Sequence, residues 1–206
     1  MPRHAFKFPS VVIAAIKQHV RNAIEAVDAQ RYGQEANYTA ALVNRLEGVA
    51  YHGEHGKVVF SSTVFDDRGP KSAEHRYGAD HAITATISDG VTTIQKAILV
   101  QAKLGRIDDL GTRDATLLRE QIEKMKQLVP APKVMEIPAQ DGRRAPAMIS
   151  GNRVLEGDPY TPMSLPEYFA ARVTTTLDGC TNPHVVAAVK DSSLSRVNIT
   201  AHLRRA

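Results

Sequence analysis

Tryptophan is missing from this 206-residue chain, and cysteine occurs once, at Cys180. A lone cysteine excludes an internal disulfide and fits a reducing, intracellular setting, so a cytoplasmic protein is expected. Long apolar runs are missing too. None approaches the ~20 residues that a bilayer-spanning helix requires, which argues against a membrane partner. The first residues, with His4, Lys7 and Pro9, lack a long apolar stretch ending in a small-residue cleavage site, so no secretory signal is expected. No internal repeat, low-complexity tract or clear linker breaks the chain. What remains is ordinary for a globular protein: 43% of residues are hydrophobic and 23% charged, and the length suffices for one sizeable core. The net charge of +4 and a sequence pI near 9.2 suit a polyanionic partner without specifying one.

Residues 77–106 organise the rest. Ser88-Asp89-Gly90 between two β-rich runs is a hairpin signal. In the first run, 82–87, Ile83, Ala85 and Ile87 alternate with Thr84 and Thr86. The second, 97–100, is unbroken apolar, as in a strand buried on both faces. Gln101 and Lys103 follow where that strand is expected to end, and alternation sends both side chains to one face. Asp80 opens the neighbouring strand. The start of one hairpin strand lies beside the end of the next, so Asp80, Gln101 and Lys103 are expected to converge. Such an oxygen cluster suits Mg²⁺ or Mn²⁺, with a cation of the Mg²⁺ type keeping several waters and taking one or two carboxylates. An ammonium beside it can orient the attacking water and stabilise charge on a phosphate. Singly, each residue has a plainer reading: Asp80 as a turn cap, Gln101 as a strand-end polar residue, Lys103 as a solvated cation.

Along the rest of the chain, Ser10 suits the N-cap of a helix over 10–30, with Val12, Ile13, Ile16, Val20, Ile24 and Val27 on one face. Its polar face carries Lys17, His19 and Arg21, either solvated or facing a DNA backbone. Tyr32-Gly33 breaks the pattern, and a second helix is expected over 34–49, with Glu35 near its start and Glu47 near its end. A first-turn Glu also simply matches the helix dipole. His52 and His55 lack a second ligand pair at zinc spacing, so they read as surface histidines of a turn. Residues 57–65 read as the first strand. The loop 66–76 offers Arg68, Lys71, His75 and Arg76, which either touch phosphates or are solvated. A helix is expected over 112–128, capped by Thr112, striped by Leu117, Leu118, Ile122, Met125 and Leu128, and ended by Pro130. Gln121 and Lys124 share one surface of it. Strands follow at 134–137 and at 147–155, the latter interrupted by Gly151, with a basic turn at Asp141-Gly142-Arg143-Arg144 between them. Pro166-Glu167 opens a helix over 165–175. Residues 185–189 and 197–201 read equally as strand or helix, and Arg196, Arg204 and Arg205 lie towards the end of the chain.

The set Gly78-Ala79-Asp80, Leu99-Val100-Gln101-Ala102-Lys103 and Gln121-Ile122-Glu123-Lys124-Met125 resembles a QxK variant of the PD-(D/E)xK, or restriction-endonuclease-like, nuclease superfamily. That variant is found in DNA-degrading domains of bacterial anti-phage systems. Asp80 stands for the motif's Asp, and Gln101-Ala102-Lys103 for (D/E)-x-K, with one negative charge lost at Gln101. The run Glu35-Ala36-Asn37-Tyr38-Thr39-Ala40-Ala41-Leu42 resembles the E-x-x-x-T-x-x-L form of the same relatives, which favours Glu35 over Glu47 as a further acid.

The resemblance implies an α/β fold: a central mixed sheet flanked by helices in the order α-β-β-β-α-β. A single nuclease-like domain over 1–206 is expected, with an N-terminal helix in 1–33, the core in 34–155 and a helical or irregular extension over 156–206. It further implies a Mg²⁺-dependent nuclease acting on DNA, with RNA left open, in a defence or restriction system. Homo-oligomers or defence-system proteins are the implied partners. Asp80, Gln101 and Glu35 would bind metal, Lys103 would position water and phosphate, and Gln121, Lys124 and Arg76 would lie near the substrate. Two other classes stay open: an inactive nucleic-acid-binding module on the same fold, and an interaction protein whose polar strand end is incidental.

Overall fold

The computed structural model describes residues 6–27, 32, 34–65, 72–138, 145–175 and 177–204. Arg68, Lys71, Arg205, the basic turn at 141–144 and the expected end of the first helix lie outside them. The architecture is α/β, a mixed eight-stranded sheet flanked by helices. Its strands are β1 (Gly48–Gly53), β2 (Gly56–Thr63), β3 (His81–Ser88), β4 (Thr93–Leu104), β5 (Lys133–Ile137), β6 (Ala147–Ser150), β7 (Met163–Ser164) and β8 (Ser195–Leu203). Their order across the sheet is β1-β2-β8-β3-β4-β5-β6-β7. The β3–β8 and β4–β5 pairs are parallel and the rest antiparallel.

Helices α1 (Ser10–Glu25), α2 (Glu35–Arg45) and α6 (Leu165–Tyr168), the last continuing into a π-turn at Phe169–Val173, cover one face. On the other lie α4 (Thr112–Lys126) and α7 (Pro183–Lys190), joined by the short α3 (Ala73–Tyr77) and α5 (Gly151–Glu156). Strand β4 explains its own sequence: Ile98, Val100 and Ala102 pack under α1 and α2, while Ala97 and Leu99 pack under α4 and α7. A strand sandwiched between two helical layers has no solvent face, so its apolar run is continuous. The turn after β3 is built as its residues suggest: Asp89 accepts from the amides of Val91 and Thr92, and Gly90 takes φ +87°.

Several local expectations are corrected. Ser10 and Thr112 are first helical residues rather than caps; Pro9 and Gly111 precede them, and neither helix start has a side-chain cap. The second helix stops at Arg45, because Gly48 at φ +145° turns the chain into β1, where Val49 is exposed. Residues 147–155 are not one strand. β6 ends at Ser150, and Gly151 starts α5 tight against Ile122 and the carbonyl of Pro132. The segment 156–206, expected as a helical or irregular extension, also contains β7 and β8, and β8 lies between β2 and β3. Among the described residues no helix is long and apolar enough to cross a membrane.

His81, the first residue of β3, is enclosed beneath α2, and burial pushes its imidazole down to about 4 from the ordinary 6.5. The unfolded chain therefore binds a proton at a pH where the folded chain does not. Stability from this site is intact above pH ~6.5 and is lost as pH falls towards ~4, by up to about 3 kcal/mol. Urea unfolding from about pH 7 to about pH 4 should show that decline, and His81→Gln should flatten it. An equal slope in both proteins would remove His81 as its source.

Candidate functional site

The site forms where β4 outruns its neighbour. β3 begins at His81, opposite Val100, and the amide of Asp80 makes the last bond of that ladder, 3.0 Å to the carbonyl of Val100. Backbone groups of alternate strand residues point to the same edge, so the amides of Ala102 and Leu104 also face the β3 side. No strand residue stands there to receive them. Two carboxylates do: Asp80 Oδ2 accepts from Ala102 N at 2.6 Å, and Glu35 Oε1 accepts from Leu104 N at 3.0 Å. On its other edge β4 stays paired, from Val100 opposite Lys133 to Leu104 opposite Ile137. This pairing carries the strand through Gln101 and Lys103, beyond the expected end at residue 100.

The side chains close the same cluster. Gln101 Nε2 donates to Asp80 Oδ2 at 2.6 Å, and Lys103 Nζ donates to Glu35 Oε2 at 3.2 Å. Gln101 is 1% exposed and Lys103 8%, so neither is a solvated strand-end residue. The structure thus brings Asp80, Gln101, Lys103 and Glu35 to one strand end. Glu47 is elsewhere, accepting from Ser62 Oγ at 2.6 Å beside β2. Glu35 is the first residue of α2, whereas Glu47 lies past its end at Arg45, and of the two only Glu35 reaches β4.

The remaining motif residues hold Asp80 in place. Gly78 adopts φ +71°, and a Cβ there would come within 2.4 Å of the Gln121 carbonyl and 3.0 Å of Lys124 Cβ. Ala79 is fully buried next to it. The loop before Asp80 therefore packs on the very turn of α4 that carries Gln121 and Lys124. Lys124 Nζ donates to the His75 carbonyl at 3.3 Å, and Arg76 lies over the Tyr77 ring at 5.3 Å. Both stand on the flank of the site rather than among its carboxylates.

The donors present decide whether a hard cation fits here. Gln101 Oε1 is buried without a hydrogen-bond partner in the described structure, on the side chain that already touches Asp80. An amide can turn over, donating through Nε2 to the carboxylate or presenting Oε1 to a cation. Asp80 with Gln101 therefore fits an ion that keeps most of its waters. It does not form a dense ligand cage: among the described residues no three of His, Cys, Asp and Glu are grouped for a metal. His52 and His55 lie in the β1–β2 hairpin, His55 beside Glu54 at 3.1 Å.

One neighbouring residue escaped the sequence reading. Glu136 stands opposite Lys103 in the β4–β5 register, and its Oε1 accepts from Ile107 N at 2.9 Å. Its signal was the single charge inside the apolar run of β5, between Met135 and Ile137.

Gly78→Ala should lower stability by at least ~2 kcal/mol, because the added Cβ meets backbone and the residue leaves its preferred φ region. Gly157→Ala gives the control: it has similar φ but open space at the Cβ. Denaturant unfolding of both checks this, and equal losses would mean that the α4 contact contributes nothing.

A scan against protein-family models matches none of them, and searches of curated proteins and of solved structures find no similar protein.

Proposed function

We propose that this chain is a metal-dependent nuclease hydrolysing phosphodiester bonds in DNA, on a restriction-endonuclease-like core. The supporting observation is the strand end where Asp80, Gln101, Glu35 and a nearly buried Lys103 meet. A lysine withdrawn from solvent and paired with Glu35 is an unusual use of charge for a strand end, and with Asp80 and Gln101 it matches the order of the PD-(D/E)xK motif. The net charge of +4 suits a polyanion. Work in the cytoplasm, within a defence or restriction system and with partner proteins or further copies, belongs to the same reading.

Asp80 and Gln101 Oε1 would hold Mg²⁺ or Mn²⁺, with Glu35 as further acidic support; when bound, the ion polarises the phosphate and acidifies its water. Lys103 Nζ, oriented by Glu35 Oε2, would direct water or a phosphate oxygen and offset developing negative charge. Overall, the water oxygen bonds to phosphorus, the bond from phosphorus to one sugar oxygen breaks, and a proton ends on that leaving oxygen. The Gln101 amide also favours a second reading, a nucleic-acid-binding module without cleavage, because it supplies no charge where an acid is usual.

Plasmid incubated with purified protein should be cut with Mg²⁺ or Mn²⁺ and left intact with EDTA. Lys103→Ala and Asp80→Asn should abolish cutting while the chain stays folded. Glu35→Gln should slow it at least tenfold, about 1.4 kcal/mol in barrier, and Glu47→Gln should do little. Wild-type rates in folded Lys103→Ala would sink the assignment. Salt-sensitive binding without cutting would favour the module.

Gln101→Glu places a second carboxylate against Asp80, and two adjacent buried carboxylates repel. The variant should be less stable without metal and gain more melting temperature than wild type from added Mg²⁺ or Mn²⁺. Equal gains in both proteins would show that position 101 does not face the ion.

A further inference from the structure

Beyond Lys103, the ends of β4 and β5 open onto a cleft that the cleavage residues do not use. Two adjoining hollows, of about 630 and 480 Å³, share Arg106, Leu110, Glu136 and Pro162 in their linings. The larger is lined by Leu104, the residue whose amide Glu35 holds, and so adjoins the proposed cleavage residues. The smaller runs on between α4 and α5, over Ile107, Leu118 and Val154. Both volumes fall in the ~300–1,000 Å³ range of small-ligand sites.

The charges of the smaller hollow decide what it can take. Arg106, Arg119 and Arg153 line it, and so do Asp108, Glu136 and Asp158. Arg106 pairs with Asp108 at 3.0 Å and Arg153 with Asp158 at 2.7 Å. A phosphate entering here would meet a carboxylate beside its arginines, and an aliphatic ligand would strip water from ion pairs and return nothing. A flat, uncharged molecule with donors and acceptors around its edge meets both sets of groups and lies on the apolar floor. The rim adds a ring for stacking: Tyr160 is tethered through its hydroxyl, which donates to Asp108. Guanidinium planes and a tyrosine ring are the surfaces on which bases stack.

We infer that this hollow takes one nucleobase of the substrate strand, turned out of its stack, and thereby selects the phosphodiester that reaches Lys103. The selection rests on the nuclease reading, whereas the base site rests on the cleft alone. Turning a base out costs least in single-stranded or mismatched DNA, so such substrates are preferred over intact duplex.

The test has two arms on the full chain. In the first, thymidine, deoxycytidine, deoxyadenosine and deoxyguanosine are titrated into the protein, with deoxyribose 5-phosphate as the sugar-phosphate control, and backbone amide signals are followed by NMR. At least one nucleoside should shift Ile107 and Asp158, the control should not, and both Tyr160→Ala and Arg153→Ala should weaken binding at least tenfold. Arg153 is exposed and its variant keeps the fold if Tyr160→Ala does not. In the second arm, an abasic residue is walked along a single-stranded oligonucleotide in the presence of Mg²⁺. Cleavage should fall at least tenfold at one fixed offset from it. No nucleoside shift in the cleft, or a shift that both variants leave unchanged, overturns the base site. Cleavage without any offset overturns the selection of the phosphodiester while the nuclease reading survives. Nucleoside binding with no cleavage keeps the base site and removes the nuclease.

Discussion

A strand that runs on after its neighbour has stopped leaves amides facing nothing, and a buried amide without an acceptor costs about 1–3 kcal/mol. β4 extends four residues beyond the β3 pairing at Val100, so the amides of Ala102 and Leu104 need acceptors that no strand provides. Asp80 and Glu35 supply them. This requirement brings a loop residue and a helix residue, separated in the sequence by β1, β2 and α3, to the same short edge. Gln101 and Lys103 then meet the second oxygen or the shared oxygen of these acids, and the cluster is closed.

The same constraint sets a limit on chemical interpretation. Carboxylates that complete a ladder have a structural reason to be there, whatever else they do. What the ladder does not require is Lys103. A strand residue 8% exposed could be any apolar side chain, as Val100 and Ala102 are on the opposite face. Burying an ammonium is expensive unless it is paired, and pairing with Glu35 only offsets that expense. Glu35 has already met its structural need through Leu104, so the ion pair is the part of the cluster that packing leaves without a cause.

The hairpin was legible because its signals are local: an Asp-Gly turn, an alternating strand and an apolar one. The site was legible for the same reason, since Asp80 and Gln101 flank a hairpin and their meeting follows from antiparallel pairing. Gly78 and the Gln121–Lys124 turn appeared only as a pattern; the sequence carried no hint that one packs against the other. Gly151 was read as an interruption of a strand, whereas the missing side chain lets α5 start against Ile122. β8 was illegible for a different reason. Val197, Ile199 and Ala201 alternate as a strand should, but nothing local says that it inserts between β2 and β3 rather than adding at an edge.

That insertion makes the site dependent on the end of the chain. β3 has β4 on one side and β8 on the other, in register from His81 opposite Ser195 to Ser88 opposite His202. Without β8, β3 would present a row of unpaired groups, and an open edge invites wrong partners. Asp80 hangs from the first residue of that strand. Its position relative to Gln101 is thus fixed by a short-range hairpin, but the rigidity of the hairpin comes from a strand more than a hundred residues later. Lys96 reinforces the same arrangement from within β4. Its ammonium, pushed down to about 8 by burial, donates to the carbonyls of Arg172, Thr175 and Asp178 and ties the segment after the π-turn to the strand that carries the site. A sequence can therefore announce a side-chain cluster in one hairpin while distributing the support for it over the whole chain.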